Sequence, residues 1–236
     1  MKKSVVVVTL VFLSLLLLLA ACISTESNRA SISVSGQAKK DVMPDKADVS
    51  VKIQTDGRTA LEAQQHNAQR SAQVRQALAD LGFKPDEIET TSFYLDVKRV
   101  WENNQYKDVG YQQIHVLKVT VYELDKVGSV IDVVVKAGAN GIDGVAFGLK
   151  DETKDNVLSG LLKEAVTEAQ NKADTMAQVA HVRIKGVRAM SESGEYVPFY
   201  YARESLKAMS AEAPPTELNP QKIDVTKSVS MVFDIG

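Results

Sequence analysis

The chain has 236 residues, with 28 basic and 30 acidic side chains, three His and a single Cys. One cysteine excludes an intramolecular disulfide and any multi-cysteine metal site. A formal charge of -2 supplies no field for gripping phosphates, which argues against a nucleic-acid partner, and a quarter of residues charged with only six Pro is not the composition of a disordered chain.

Lys2 and Lys3 form a short positive start, Val5 to Leu19 is almost wholly apolar, and Ala20 and Ala21 lead to Cys22. A charged start, an apolar core and small residues at the end are the layout of a secretory signal peptide, here residues 1–21. The apolar run falls short of the roughly twenty residues a spanning helix needs. Residues 22–30 read as a polar tether and residues 31–236 as the folded domain. Discarding the leader removes two Lys and no acid, so 26 basic face 30 acidic residues and the net charge becomes -4.

Ile32 and Val34 alternate with polar residues at the strand period of two, and Ala47, Val49, Val51 and Ile53 do so again after a turn at Met43-Pro44-Asp45. Thr59 with Glu62 has capping-box spacing. The helix that follows reaches Leu81, with Leu61, Ala68, Val74, Ala77, Leu78 and Leu81 as its expected apolar stripe, a Gln- and Arg-rich opposite face, and Gly82 as its stop. A strand from Ile88 to about Val100, a loop at Glu102-Asn103-Asn104-Gln105 and a return strand from Tyr111 to Val121 form a hairpin. A short helix from Leu124 to Ala137 ends at Gly138.

Ile142 to Leu149 is the next strand. A long helix over 154–179 carries Leu158, Leu161, Leu162, Ala165, Val166, Ala169, Ala173 and Met176 at helical spacing. Val182 to Met190 is a strand, Gly194 to Pro220 is irregular, and Ile223 to Phe233 is the last strand. Mixed hairpins and helices predict an α+β fold, with a mixed, mainly antiparallel sheet covered by two long amphipathic helices and one short one.

Chemistry-bearing constellations are sparse. Gly138, Gly141 and Gly144 follow a helix and precede a strand, the reverse of a dinucleotide loop, so they read as a helix stop and a turn. His66, His115 and His181 have no second ligand at metal spacing. Asp151, Glu152 and Asp155 complement a helix N-terminus. No nucleophile-elbow serine occurs. The expectation is a non-enzymatic protein without cofactor or metal. An enzyme with a carboxylate pair brought together only by the fold is the alternative. Lys98, Arg99, Trp101, Tyr106, Lys107 and Tyr111 gather at the hairpin tip. There they read either as a ligand-binding cluster or as a projecting arm packed on a neighbouring strand or subunit. Tyr196, Phe199, Tyr200 and Tyr201 crowd a Pro-bounded segment that would pack on its own core, on another subunit or at a bilayer interface. A monomeric binder using this hairpin and segment would have an open cleft lined by Trp101, Tyr106 or Tyr200.

Leu19-Ala20-Ala21-Cys22 resembles the lipobox of bacterial lipoproteins, in which the cysteine thiol is acylated and the leader is cut just before it. That resemblance implies a protein attached to a membrane through Cys22, without a free thiol for nucleophilic catalysis. With Ile23 rather than Asp after the cysteine, it implies the outer membrane, facing the periplasm, in a Gram-negative cell.

A second resemblance covers the rest of the chain. Ile32-Ser33-Val34-Ser35-Gly36 with Pro44-Asp45 and Ala47 is similar to the opening of the SIMPL domain family, also called DUF541. Gly110-Tyr111-Gln112, Val119-Thr120-Val121 and Leu124-Asp125-Lys126-Val127-Gly128 resemble its middle. Ala137 to Val145 with Phe147-Gly148-Leu149 is the strongest match, and Ala165, Ala169, Lys172, Ala173 and Ala177 match its later helix. The family includes periplasmic immunogenic and oxidative-stress proteins of bacteria, and a vertebrate protein that binds a receptor-associated kinase. The resemblance implies an α+β domain in the cell envelope, homo-oligomers that in some members are ring- or channel-like, and no established catalytic residues. The long Tyr- and Pro-containing segment near the end departs from the family pattern.

Overall fold

A computed structural model describes residues 29–202 and 216–236. The leader 1–21, Cys22 and most of the tether lie outside the described residues, as do the side chains of Tyr200 and Tyr201. The elements run β1 (Ser31–Val42), β2 (Lys46–Gly57), α1 (Ala60–Asp80), β3 (Ile88–Glu102), β4 (Gln105–Val121), α2 (Val127–Lys136), β5 (Gly141–Gly148), α3 (Asp151–Val179), β6 (Ile184–Tyr196), β7 (Tyr200–Ala202) and β8 (Ile223–Ile235). The α+β class is as expected. The strands, all paired antiparallel, divide between two sheets of order β1-β8-β6 and β3-β4-β2-β5-β7.

Each sheet has its own core. In the five-stranded sheet, one face of β2 (Ala47, Val49, Val51, Ile53) meets Leu117, Val119 and Val121 of β4, with Val74 and Leu78 of α1 and Val130, Ile131 and Val134 of α2 laid over them. In the three-stranded sheet, Ile32, Val34 and Ala38 of β1 and Val225, Val229, Met231 and Phe233 of β8 pack under α3. The stripe of α3 narrows to Ala165, Ala169, Ala173 and Ala177, all buried. Small side chains there let the helix lie almost on the strand. A methyl group added at Gly36 would come within 1.9 Å of the Ala165 carbonyl oxygen.

Three local expectations are met. Thr59 caps α1 by accepting from the Glu62 amide at 3.2 Å, while the Glu62 carboxylate accepts from the amide of Arg58 at 2.8 Å. Gly82 and Gly138 follow α1 and α2 with φ of 94° and 111°, the left-handed backbone that ends a helix. Asn103 and Asn104, with φ of 51° and 60°, make the two-residue turn whose twist suits a hairpin.

Four expectations are corrected. The buried face of α1 is Ala63, Asn67, Ser71, Val74 and Leu78, whereas Leu61, Ala68 and Leu81 are exposed. Met176 of α3 likewise points to solvent. The stretch after Gly194 is not wholly irregular: β6 continues to Tyr196, and Tyr200–Ala202 pairs with β5. Residues 29 and 30, placed in the tether by sequence, are already held by the sheet. The Ala30 carbonyl accepts from Ile235 at 3.1 Å, and that of Arg29 from the Arg188 guanidinium at 3.0 Å.

Candidate functional site

The β3–β4 hairpin outruns its sheet. β2 ends at Gly57, opposite Tyr111, so β4 residues before that point pair only with β3. Gly110 lies at the exit with φ of 137°, and a side chain there would strike the Gly57 carbonyl oxygen at 2.6 Å. Beyond it, Val109 bulges out of register and the two strands form a free ribbon. Trp101 and Tyr106 are direct cross-strand partners with ring centroids 4.8 Å apart at 67°. Both are exposed, at 59% and 71%. Phe93 and Leu95, at alternate positions of β3 on the way to Trp101, are exposed as well, as are Tyr94 and Val100 on the other face of that strand and Val109 on β4. The basic residues beside it are all paired: Lys98 with Asp56, Arg99 with Asp108 at 3.0 Å, Lys107 with Glu102 at 2.7 Å.

The second aromatic segment splits. Tyr196 ends β6 and is exposed, and Phe199 lays its ring against the backbone of Gly148, where an added methyl group would meet it at 2.9 Å. The backbone of Tyr200 pairs with Phe147 and that of Tyr201 with Ala146. The structure therefore ties this segment to the edge of the five-stranded sheet, away from the hairpin at the opposite edge.

A polar cleft of about 530 Å³ opens where β5 stops short of the end of β2. It is lined by Gln54, Thr55 and Asp56 of β2, His66, Gln69, Arg70 and Gln73 of α1, and Asn140 from the α2–β5 turn. Neither Trp101 nor Tyr106 lines it. The floor is fixed by internal bonds. Asn140 substitutes for the missing strand, its side-chain oxygen accepting from the Gln54 amide and its nitrogen donating to the Gln54 carbonyl, both at 2.8 Å. Thr55 donates to the Ala63 carbonyl at 2.8 Å, and His66 Nδ1 lies 3.3 Å from the Asp56 carbonyl oxygen. Bonding to Lys98, opposed by burial and helped by Gln112, holds the Asp56 carboxyl below the usual range.

A second set of buried polar groups forms a network under α1. His115 on β4 shares hydrogen bonds with Ser71 at Nδ1 (2.9 Å) and Thr90 at Nε2 (3.0 Å), and packs edge-on against Phe93 at 5.1 Å. Asn67 donates to the Ile53 carbonyl at 2.9 Å. Burial, then the nearby positive charge of Arg75, pushes the His115 imidazole below its ordinary value. The Ser71–His115 pair looks like two parts of a nucleophilic triad. The third position is taken by Thr90 instead of a carboxylate, and Ser71 is only 6% exposed, so the arrangement orients the core and offers no accessible nucleophile. His181 follows α3 in the left-handed conformation. Lys227, 5% exposed, is bracketed by Glu192 and Glu195. Among the described residues no group of three or more His, Cys, Asp or Glu is placed to hold a metal ion. No helix among them is long and apolar enough to cross a membrane.

The family model described as SIMPL, protein of unknown function (DUF541), matches residues 32–233. The 26 kDa periplasmic immunogenic protein of Brucella abortus (strain S19) is 29% identical over 218 residues, covering 87% of this chain and 85% of that protein. The uncharacterized protein YggE is 24% identical in Edwardsiella ictaluri, with 87% of both chains covered. In Escherichia coli K12 it is 25% identical, with 78% of this chain and 73% of that protein covered.

Proposed function

Since the chain belongs to the SIMPL family, we propose that it is a lipid-anchored protein of the cell envelope that self-assembles as a non-enzymatic structural or binding module. The lipobox-like Leu19-Ala20-Ala21-Cys22 after a signal-type leader supports the anchor. The Brucella relatives, named as periplasmic immunogenic proteins, support a periplasmic setting. Orientation on the outer membrane and a part in stress defence rest on the lipoprotein and family resemblances.

One observation carries the assembly reading: the exposed apolar ribbon of β3 and β4. A two-stranded hairpin on its own is marginally stable in water. A long edge strand with exposed aromatic residues is the kind of surface that pairs with another chain. Trp101 and Tyr106 are on that arm, and Phe93 and Leu95 lie exposed on the same edge strand, β3, where it is still backed by the sheet. A second copy of this chain suits it, because the arm's charges are balanced internally and call for no charged partner such as a nucleic acid.

Light scattering on the full chain in mild detergent tests this. An oligomer that dissociates when Trp101 and Tyr106 are both changed to Ser supports the reading. A strict monomer across micromolar concentrations, or an oligomer unaffected by the double change, overturns it.

A further inference from the structure

We infer that the polar cleft between the end of β2, α1 and Asn140 binds a small carboxylated sugar, with Arg70 and His66 on the carboxylate and the amides of Gln69 and Gln73 on the hydroxyls. This goes beyond the assembly reading and stands apart from it, since none of these residues lies on the hairpin ribbon.

The cleft is shaped for a ligand. Its 530 Å³ falls in the range of small-molecule sites. All eight lining residues are polar, so an apolar ligand would leave buried donors and acceptors unpaired. His66, Gln69, Arg70 and Gln73 are spaced i, i+3, i+4, i+7, which puts them on one face of α1, and that face looks across at Asn140.

The cleft divides into a fixed floor and an unengaged wall. Asn140, Thr55 and Asp56 are held by the bonds given above. Among the described residues, the side chains of Gln69, Arg70 and Gln73 make no hydrogen bond or ion pair. The stem of Arg70 and the amide of Gln73 run past Gly138, at 3.8 to 3.9 Å from where a side chain there would begin, so both are carried to the cleft mouth. Among the described residues His66 commits only Nδ1, and the residue as a whole is exposed.

The electrostatics select the ligand's charge. Asp56 is the cleft's only carboxylate, and its charge is matched by Lys98. Arg70 is therefore the unbalanced charge, and a planar guanidinium suits a planar carboxylate. Amides, each with a donor pair and an acceptor, match vicinal hydroxyls. With no Phe, Tyr or Trp in the lining, hydrogen bonding and charge, not stacking on a large ring, are the source of recognition.

Titration calorimetry of the full chain in detergent with D-glucuronate, acetate and D-glucose as probes tests this. The expected result is glucuronate binding with a Kd below about 1 mM and at least about tenfold tighter than either control. Arg70→Ala should weaken glucuronate at least about tenfold, the loss expected of a charge-assisted hydrogen bond, with an unchanged melting curve because Arg70 is exposed. Gln69→Ala with Gln73→Ala should bring glucuronate close to acetate. Acetate binding as well as glucuronate, no saturation by glucuronate up to about 10 mM, or an unaltered affinity in Arg70→Ala would overturn the inference.

Discussion

Asp45 caps a helix that begins more than one hundred residues later: its Oδ1 accepts from the Lys150 backbone amide at 2.6 Å, and its Oδ2 accepts from the Thr153 hydroxyl. Lys150, the residue before α3, offers no side-chain cap of its own, so a carboxylate from the β1–β2 turn joins Asp151 and Glu152 of the first turn at this helix N-terminus. The Asp45 amide in turn donates to the Gly148 carbonyl at 3.1 Å.

Asp45→Ala should cost about 1–2 kcal/mol, the range of a lost N-cap. Asp45→Asn should recover part of that, since it retains the hydrogen-bond geometry and loses only the charge facing the helix dipole. Urea unfolding of the two variants, with equal slopes, measures both.

At Gly36 the limit is space. The Ala165 oxygen and the Ala169 amide nitrogen would stand 1.9 and 2.8 Å from an added methyl group. Lys172 also binds the Ser35 carbonyl at 3.0 Å and Glu168 the Gln37 amide, so the helix cannot slide away without breaking both. Gly36→Ala should destabilise by about 3 kcal/mol or more, at the top of the overpacking range because backbone is what collides. The neighbouring Ser35→Ala, on the outward face, should stay within about 0.5 kcal/mol. A shift of the denaturation midpoint for the first and not the second is the expected outcome.

The His115 network carries a pH signature. Its folded imidazole titrates below the ordinary value near 6.5, so between the two values the unfolded chain binds more protons than the folded one. Stability from this group is complete above about pH 6.5 and declines as pH falls toward the folded value. The groups facing the ring are Ser71, Thr90, Phe93 and the Arg75 charge. Unfolding free energies at pH 7.5 and 5.5 should therefore differ less in His115→Gln than in the parent.

How much of this was legible in sequence differs from element to element. Strands with strict alternation, such as β2 and β8, and helix ends marked by Thr59, Gly82 and Gly138 were readable because the signals are local. The face of α1 was not. Its core side carries Asn67 and Ser71, which serve a strand carbonyl and His115, so apolar periodicity pointed to Leu61 and Ala68 on the wrong side. The cleft was half visible as a Gln- and Arg-rich helix face. Its other wall depends on β5 ending at Gly141 while β2 runs on to Gly57, a relationship of register that no single segment encodes. The partition into two sheets escaped notice for the same reason, since β1 and β2 look alike as sequence.

For the leader, Cys22→Ala should abolish incorporation of labelled palmitate and leave an uncleaved, larger precursor on a denaturing gel. Label retained by that variant would refute acylation at this residue.

The order β1-β8-β6 has a consequence for how the molecule is made. Four strands of the five-stranded sheet, β2 to β5, are complete once Gly148 has been synthesised. The three-stranded sheet places the last-made strand, β8, in its middle. Until Ile223–Ile235 emerges, β1 and β6 have no strand to pair with, and the underside of α3 has half a surface to cover. The five-stranded sheet has most of its elements to close as the chain is delivered, whereas the three-stranded sheet remains open until the thirteen residues of β8 arrive. During that interval a stalled or truncated chain presents two unpaired strand edges, and so becomes a target for proteolysis or for mispairing with another copy.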